Sequence, residues 1–122
     1  MKESILREKS YKFALRIVNL NKFLREERKE SVLSKQILRC GTSIGANVVE
    51  GSRAESMVDF SHKLSISLKE SFETEYWLNL LKDSEYISEK QAESLILDCN
   101  ELQKMLIASI KTAKQNKDRI SA

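Results

Sequence analysis

Apolar residues recur along this chain at steps of three and four, the repeat of an α-helix with one buried face. Phe13, Ile17, Leu20 and Leu24 follow it, with Ala14 and Val18 widening the stripe, and predict a helix over about residues 4–25. Lys9, Lys12 and Arg16 keep helical spacing on a different side, which predicts a basic face turned to solvent. The run Arg25-Glu26-Glu27-Arg28-Lys29-Glu30 then supplies a connection. Leu33, Ile37, Cys40, Ile44 and Val48 form the seam of a second helix, about 31–50, and Gly51-Ser52 reads as its end, since glycine is favoured just past a helix C-terminus. Ser56-Met57-Val58-Asp59 is a capping-box variant opening a third helix, about 56–83. Phe60, Leu64, Leu68, Phe72 and Tyr76 step by four along it, and Leu78 and Leu81 continue the stripe predicted to be buried. Ser88-Glu89-Lys90-Gln91 is a complete capping box for a fourth helix, about 88–115. Its seam is Ala92, Leu95, Ile96, Cys99, Leu102, Leu106, Ile110 and Ala113, and residues from about Asn116 onward are expected to fray.

Four helices of about 20 residues with short connections predict an all-α, up-down-up-down antiparallel four-helix bundle. The 122 residues fit one domain, 1–122, and the absence of proline agrees with a chain built of helices. Gly41 and Gly45 lie one turn apart inside the second helix, where glycine costs nearly 1 kcal/mol against alanine. Their presence predicts close approach of another helix, either within the bundle or from another subunit.

The net charge of +3 says little, but its distribution says more. Residues 1–39 carry +6, residues 40–103 carry −7 and residues 104–122 carry +4, so basic ends flank an acidic middle. No apolar run is long enough to span a bilayer, and Met1-Lys2-Glu3-Ser4 does not start a signal peptide, so a cytoplasmic protein without a membrane segment is expected. Cys40 and Cys99 are far apart in sequence and outside any metal-binding spacing, which predicts two buried reduced thiols.

Catalytic chemistry lacks parts. His62 follows Asp59 by three residues, as in a di-iron bundle, but such a site needs two histidines and this chain has one. No phosphate-cradling glycine loop is present, and no cofactor, metal or enzymatic activity is expected. Asn47 and Glu50 near the end of the second helix, and Glu70, Glu73, Thr74 and Glu75 in the third, read as structural polar groups with partners such as Arg39 and Lys69. Tyr11, Phe13, Tyr76 and Trp77 could stack on bases, but Phe13 and Tyr76 fall on apolar stripes. Trp77 fits either core or subunit contact. Composition leaves the basic residues, Lys35 and Arg39 among them, balanced between phosphate binding and a solvated face.

Three segments are more specific: LSKQILRCGTSIGANVVEGSRAES at 33–56, DFSHKLSISLKESFETEYWLNLL at 59–81 and YKFALRIVNL at 11–20. With their TSIGAN, VEG, KE and E-T-E-Y-W-L runs they resemble the bacterial four-helix-bundle proteins encoded in 23S rRNA intervening sequences. Cys40-Gly41 stands where Ser-Ala is common in that family. The fourth helix carries only the generic pattern. The resemblance implies a left-handed bundle assembling as a ring-shaped homopentamer. It also implies similarity to the accessory protein of diversity-generating retroelements, a basic pentamer that binds RNA and a reverse transcriptase. The family is often labelled ribosomal, which does not by itself make a member a ribosome component.

The expected function is therefore a non-enzymatic oligomer that binds structured RNA, with a reverse transcriptase as a possible protein partner by family analogy. Lys9, Lys12, Arg16, Arg25, Arg28 and Lys29 are the expected phosphate contacts, and Gly41, Gly45, Asn47, Glu50 and Trp77 the expected oligomer or helix-packing positions. The alternative is a protein-interaction scaffold without nucleic acid, whose basic ends meet the acidic middles of neighbouring subunits or of a partner.

Overall fold

The computed structural model describes the backbone of residues 2–121 and the side chains of residues 5–116. It contains α1 (Lys2–Glu27), α2 (Leu33–Ser52), α3 (Met57–Asp83) and α4 (Glu89–Ser121). The helix capping chemistry is as expected in two places. The Ser56 hydroxyl accepts the Asp59 N–H at 3.1 Å, opening α3. At α4, Ser88 and Gln91 exchange side chain and backbone bonds in both directions, at 2.8 and 3.0 Å.

Three boundaries differ from the sequence expectation, each for a local reason. The second helix begins at Leu33 rather than Ser31, because Glu30 rather than a serine caps it. Gly51 lies inside α2 with no left-handed glycine anywhere in the described chain, so it does not end the helix as a left-handed cap. It is buried against Lys63 and Leu64 of α3, where a Cβ would make ordinary van der Waals contact. The fourth helix continues to Ser121 instead of stopping near residue 115, since neither Gly nor Pro follows Ala113 to end it.

Cross-helix contacts fix the topology. Asn21 reaches the carbonyl of Ser34, while further back along α1 Ser10 faces Gly45. Lys63 pairs with Glu50, and further along α3 Glu70 pairs with Arg39. Ser71 accepts from Cys99, whereas His62 lies beside Ala113 and Lys114. Lys9 pairs with Glu101 and Arg16 with Asp98. Numbering rises along one helix of each pair as it falls along the other, which makes the bundle up-down-up-down. Each helix packs on its sequence neighbour and α4 closes on α1 more lightly, with no close backbone approach across either diagonal among the described residues.

The core confirms the stripes of α1, α2 and α4. Phe13, Ile17, Leu24, Ile37, Ile44, Leu102 and Leu106 are fully enclosed, each worth about 1.5–3 kcal/mol on transfer from water. The stripe assigned to α3 is wrong in part. Leu64, Leu78 and Leu81 are buried, but Phe72 is 52% and Tyr76 60% exposed. The face of α3 that enters the core is Leu64, Ser67, Ser71, Thr74, Leu78 and Leu81. Its small hydroxyls let neighbouring helices come close, and each is satisfied: Ser67 donates to the Ile44 carbonyl at 2.8 Å, and Thr74 to that of Glu70 at 2.8 Å.

Both thiols are free and buried, as expected. Burial pushes Cys40 up and lifts Cys99 from the usual 9.0 to about 12. A thiol is neutral when protonated, so the folded state holds this proton more tightly than the unfolded chain. The resulting stability is present below pH 9 and is lost as pH rises toward 12. Urea unfolding of the parent is expected to weaken between those limits by up to about 1.4 kcal/mol per pH unit more than that of Cys99→Ala. A parent-to-variant difference that stays flat with pH would contradict the assignment.

Candidate nucleic-acid interface

The structure divides the six expected phosphate contacts into two groups. Lys9, Lys12 and Arg16 already have acidic partners. Lys9 meets Glu101 of α4, whose hydrogen bond raises the lysine pKa. Lys12 pairs with Glu8 one turn earlier at 3.1 Å. Arg16 holds Asp98 at 2.6 Å and also donates to the Ser94 hydroxyl and carbonyl. The basic face of α1 and the acidic face of α4 thus form one mixed-charge seam. These pairs are half exposed or more and open to solvent screening, so they add little to stability.

Arg25, Arg28 and Lys29 differ: none is in an ion pair among the described residues. They sit where α1 ends and the chain turns toward α2. Arg25 Nε donates to Asn21 Oδ1 at 2.9 Å, and buried Asn21 in turn donates to the Ser34 carbonyl at 3.0 Å. Arg28 Nε donates to the Tyr86 carbonyl at 3.2 Å, with its guanidinium 5.1 Å from the centre of the Phe23 ring. Lys29 has φ 55°, the left-handed conformation that closes α1 and lets the Glu30 N–H bond back to the Leu24 carbonyl at 2.9 Å.

In the sequence Glu30 reads only as part of a charged connection. Its carboxylate accepts the backbone N–H groups of Val32, Leu33 and Ser34 at 3.1, 2.8 and 2.7 Å. It therefore satisfies the N-terminus of α2.

Among the expected packing positions, Gly41 faces Ile17 and Gly45 faces the backbone of Ser10. Their close neighbour is α1 of the same chain. Asn47 bonds to Ser43 within α2, and Glu50 pairs with Lys63 at 2.8 Å. Trp77 is partly buried and donates to Glu73, which also meets Arg39 beside Glu70. The carboxylates of α3 find partners within the bundle: Arg39 takes Glu70 and Glu73, as expected, and Glu75 accepts from Gln103 at 2.9 Å, while Lys69 pairs with none of them among the described residues. His62 is exposed. Among the described residues no group of three or more His, Cys, Asp or Glu is placed to hold a metal ion.

Two apolar features remain on the surface. Phe72 and Tyr76 stand one turn apart on the outer side of α3. A groove of about 790 Å³ runs between α1 and α2, lined by Tyr11, Ala14, Gly45, Ala46 and Val49, with Arg7, Glu8 and Lys12 also along it. Exposed apolar groups clustered in this way are typical of protein contact surfaces.

Fold and surface together define a small four-helix-bundle protein with a cation-bearing end and apolar flanks. The chain belongs to the 23S rRNA-intervening sequence protein family, whose model matches residues 2–108. It is also similar to a protein of unknown function from the S23 ribosomal protein family of Bacteroides thetaiotaomicron VPI-5482, known from a 1.70 Å crystal structure. The two are 57% identical with a TM-score of 0.90, over 91% of this chain and 99% of that one. No curated protein matches the chain. Among the described residues, no helix is long and apolar enough to cross a membrane.

Proposed function

We propose that the protein is a non-enzymatic, oligomeric RNA-binding bundle, acting in the cytoplasm on a structured RNA. The observation that carries the reading is the trio Arg25, Arg28 and Lys29, exposed at one end of the bundle with no ion pair to a carboxylate among the described residues. Family membership supports RNA as the polyanion. Display of the trio in several copies would add avidity to a weak contact, and Phe72, Tyr76 and the α1–α2 groove supply apolar surface for assembly. The same apolar surface favours the second reading, a protein scaffold that uses no nucleic acid.

Two triple variants separate these readings. R25Q/R28Q/K29Q is expected to weaken binding of a stem-loop RNA about tenfold or more and to flatten its salt dependence, since fewer counterions are released. K9Q/K12Q/R16Q should change affinity less, because those cations already have carboxylate partners, Glu101 and Asp98 on α4 and Glu8 on α1. Anisotropy titrations from about 50 to 200 mM salt read both quantities. Sedimentation of the parent should show several chains per particle. No RNA binding by the parent at the lowest salt would leave the scaffold reading in its place.

A further inference from the structure

The four arginines with resolved side chain bonds fall into two kinds. Arg16 and Arg39 spend their Nη groups on carboxylates. Arg25 and Arg28 spend only Nε, and only on neutral oxygens, the Asn21 amide and the Tyr86 carbonyl. A guanidinium has five N–H donors, so four on Nη1 and Nη2 of each remain for a ligand. Both side chains are held in place before any ligand arrives. Asn21 is anchored to Ser34 in the bundle interior, and Arg28 rests over Phe23. Of the acids in this connection, Glu30 is engaged by three N–H groups of α2, and neither Glu26 nor Glu27 pairs with an arginine among the described residues.

We infer that Arg25 and Arg28 form a phosphate clamp, two pre-oriented guanidinium ends that each take the non-bridging oxygens of an RNA phosphate. The inference rests on the RNA-binding reading and narrows it from a patch of positive charge to two directed contacts. Occupied Nε atoms leave the Nη edge as the binding edge, so each phosphate is met end-on by paired N–H donors. Arg25 lies in the last turn of α1 and Arg28 one residue past its end at Glu27, so both open donor edges sit at the same end of the bundle. Neutral acceptors matter here: they orient the cation without cancelling the charge that the phosphate needs. Lysine carries the same charge but has neither the planar fork nor an Nε–H for Asn21 or Tyr86 to hold.

The test compares the parent with R25K/R28K and, as a control, with R53K at an exposed position near the end of α2. Binding of a fluorescent stem-loop RNA is measured at about 50 mM salt. The clamp predicts about tenfold weaker binding for R25K/R28K and none of that loss for R53K. Equal affinity of R25K/R28K and the parent would overturn the clamp while leaving the RNA-binding reading intact. Failure of the parent to bind the RNA would overturn both. Should R25K/R28K melt below the parent, titration of the parent with the same RNA, read at the arginine side chain nitrogens, decides instead. Shifts of the Nη signals of Arg25 and Arg28 support the clamp, and unmoved signals at both overturn it.

Discussion

Gly41→Val is expected to lower the unfolding free energy by about 3 kcal/mol, and Gly41→Ala by about 1–2 kcal/mol, despite the better helix propensity of both residues. A Cβ at Gly41 would lie 2.8 Å from both Cγ1 and Cγ2 of Ile17 and 3.2 Å from its Cβ. Ile17 is fully buried, and a β-branched residue in a helix has essentially one comfortable χ1 rotamer. The clash can be relieved only by moving α1 away from α2. Gly45 makes the useful contrast. There a Cβ would be 3.3 Å from the Ser10 carbonyl oxygen, a few tenths of an ångström too close. The strain at Gly45→Ala and the helix-propensity gain of nearly 1 kcal/mol then come close to cancelling. Urea denaturation of the two alanine variants should rank Gly45→Ala well above Gly41→Ala. In an Ile17→Ala background the Gly41→Ala penalty should largely vanish, because the obstructing atoms are gone. A Gly41→Ala protein as stable as the parent would show that the two helices do not depend on this contact.

Glycines at those two positions made the close approach legible before any coordinates, but not which helix makes it, because sequence spacing carries no information about the partner. The α3 stripe shows a different limit. Residues four apart overshoot one turn by about 40°, so a strict run of fours rotates around the helix. Leu64 faces the core, and three such steps later Tyr76 has turned by about 120° into solvent. The correct face alternates threes and fours through Ser67, Ser71 and Thr74, whose hydroxyls conceal it from a hydrophobicity pattern. The seams of α1, α2 and α4 were legible because their core positions are mostly apolar.

The cation site was half legible for a related reason. Helical spacing groups Lys9, Lys12 and Arg16, but their acidic partners include Glu101 and Asp98, which sit more than 80 residues away in sequence. Only the fold brings α4 alongside α1 and withdraws those charges. In the sequence only charge marks Arg25 and Arg28. What sets them apart is Asn21, Phe23 and Tyr86, none of which carries a charge that a sequence reading would weigh.

Glu30→Ala is expected to cost about 2–3 kcal/mol, a drop of roughly 8–12 °C in melting temperature. The carboxylate is 8% exposed and both its oxygens are used by the first turn of α2. Removing it strands three N–H groups at the positive end of a helix, where an ordinary cap alone is worth about 1 kcal/mol. Glu30→Gln should lose less, since its amide oxygen still accepts while its nitrogen faces another donor. Amide exchange at residues 32–34 should accelerate in both variants, well beyond any change in mid-α2. The same substitutions separate charge from order at the cation-bearing end. By charge alone, deleting an acid beside Arg28 and Lys29 strengthens RNA binding. If Glu30 holds the connection that positions those residues, loosening it offsets or reverses that gain. The expected result is an RNA affinity no higher than the parent's, measured at a temperature where every variant remains folded. A clear rise in affinity would mean that the connection supplies charge to the site but no geometry.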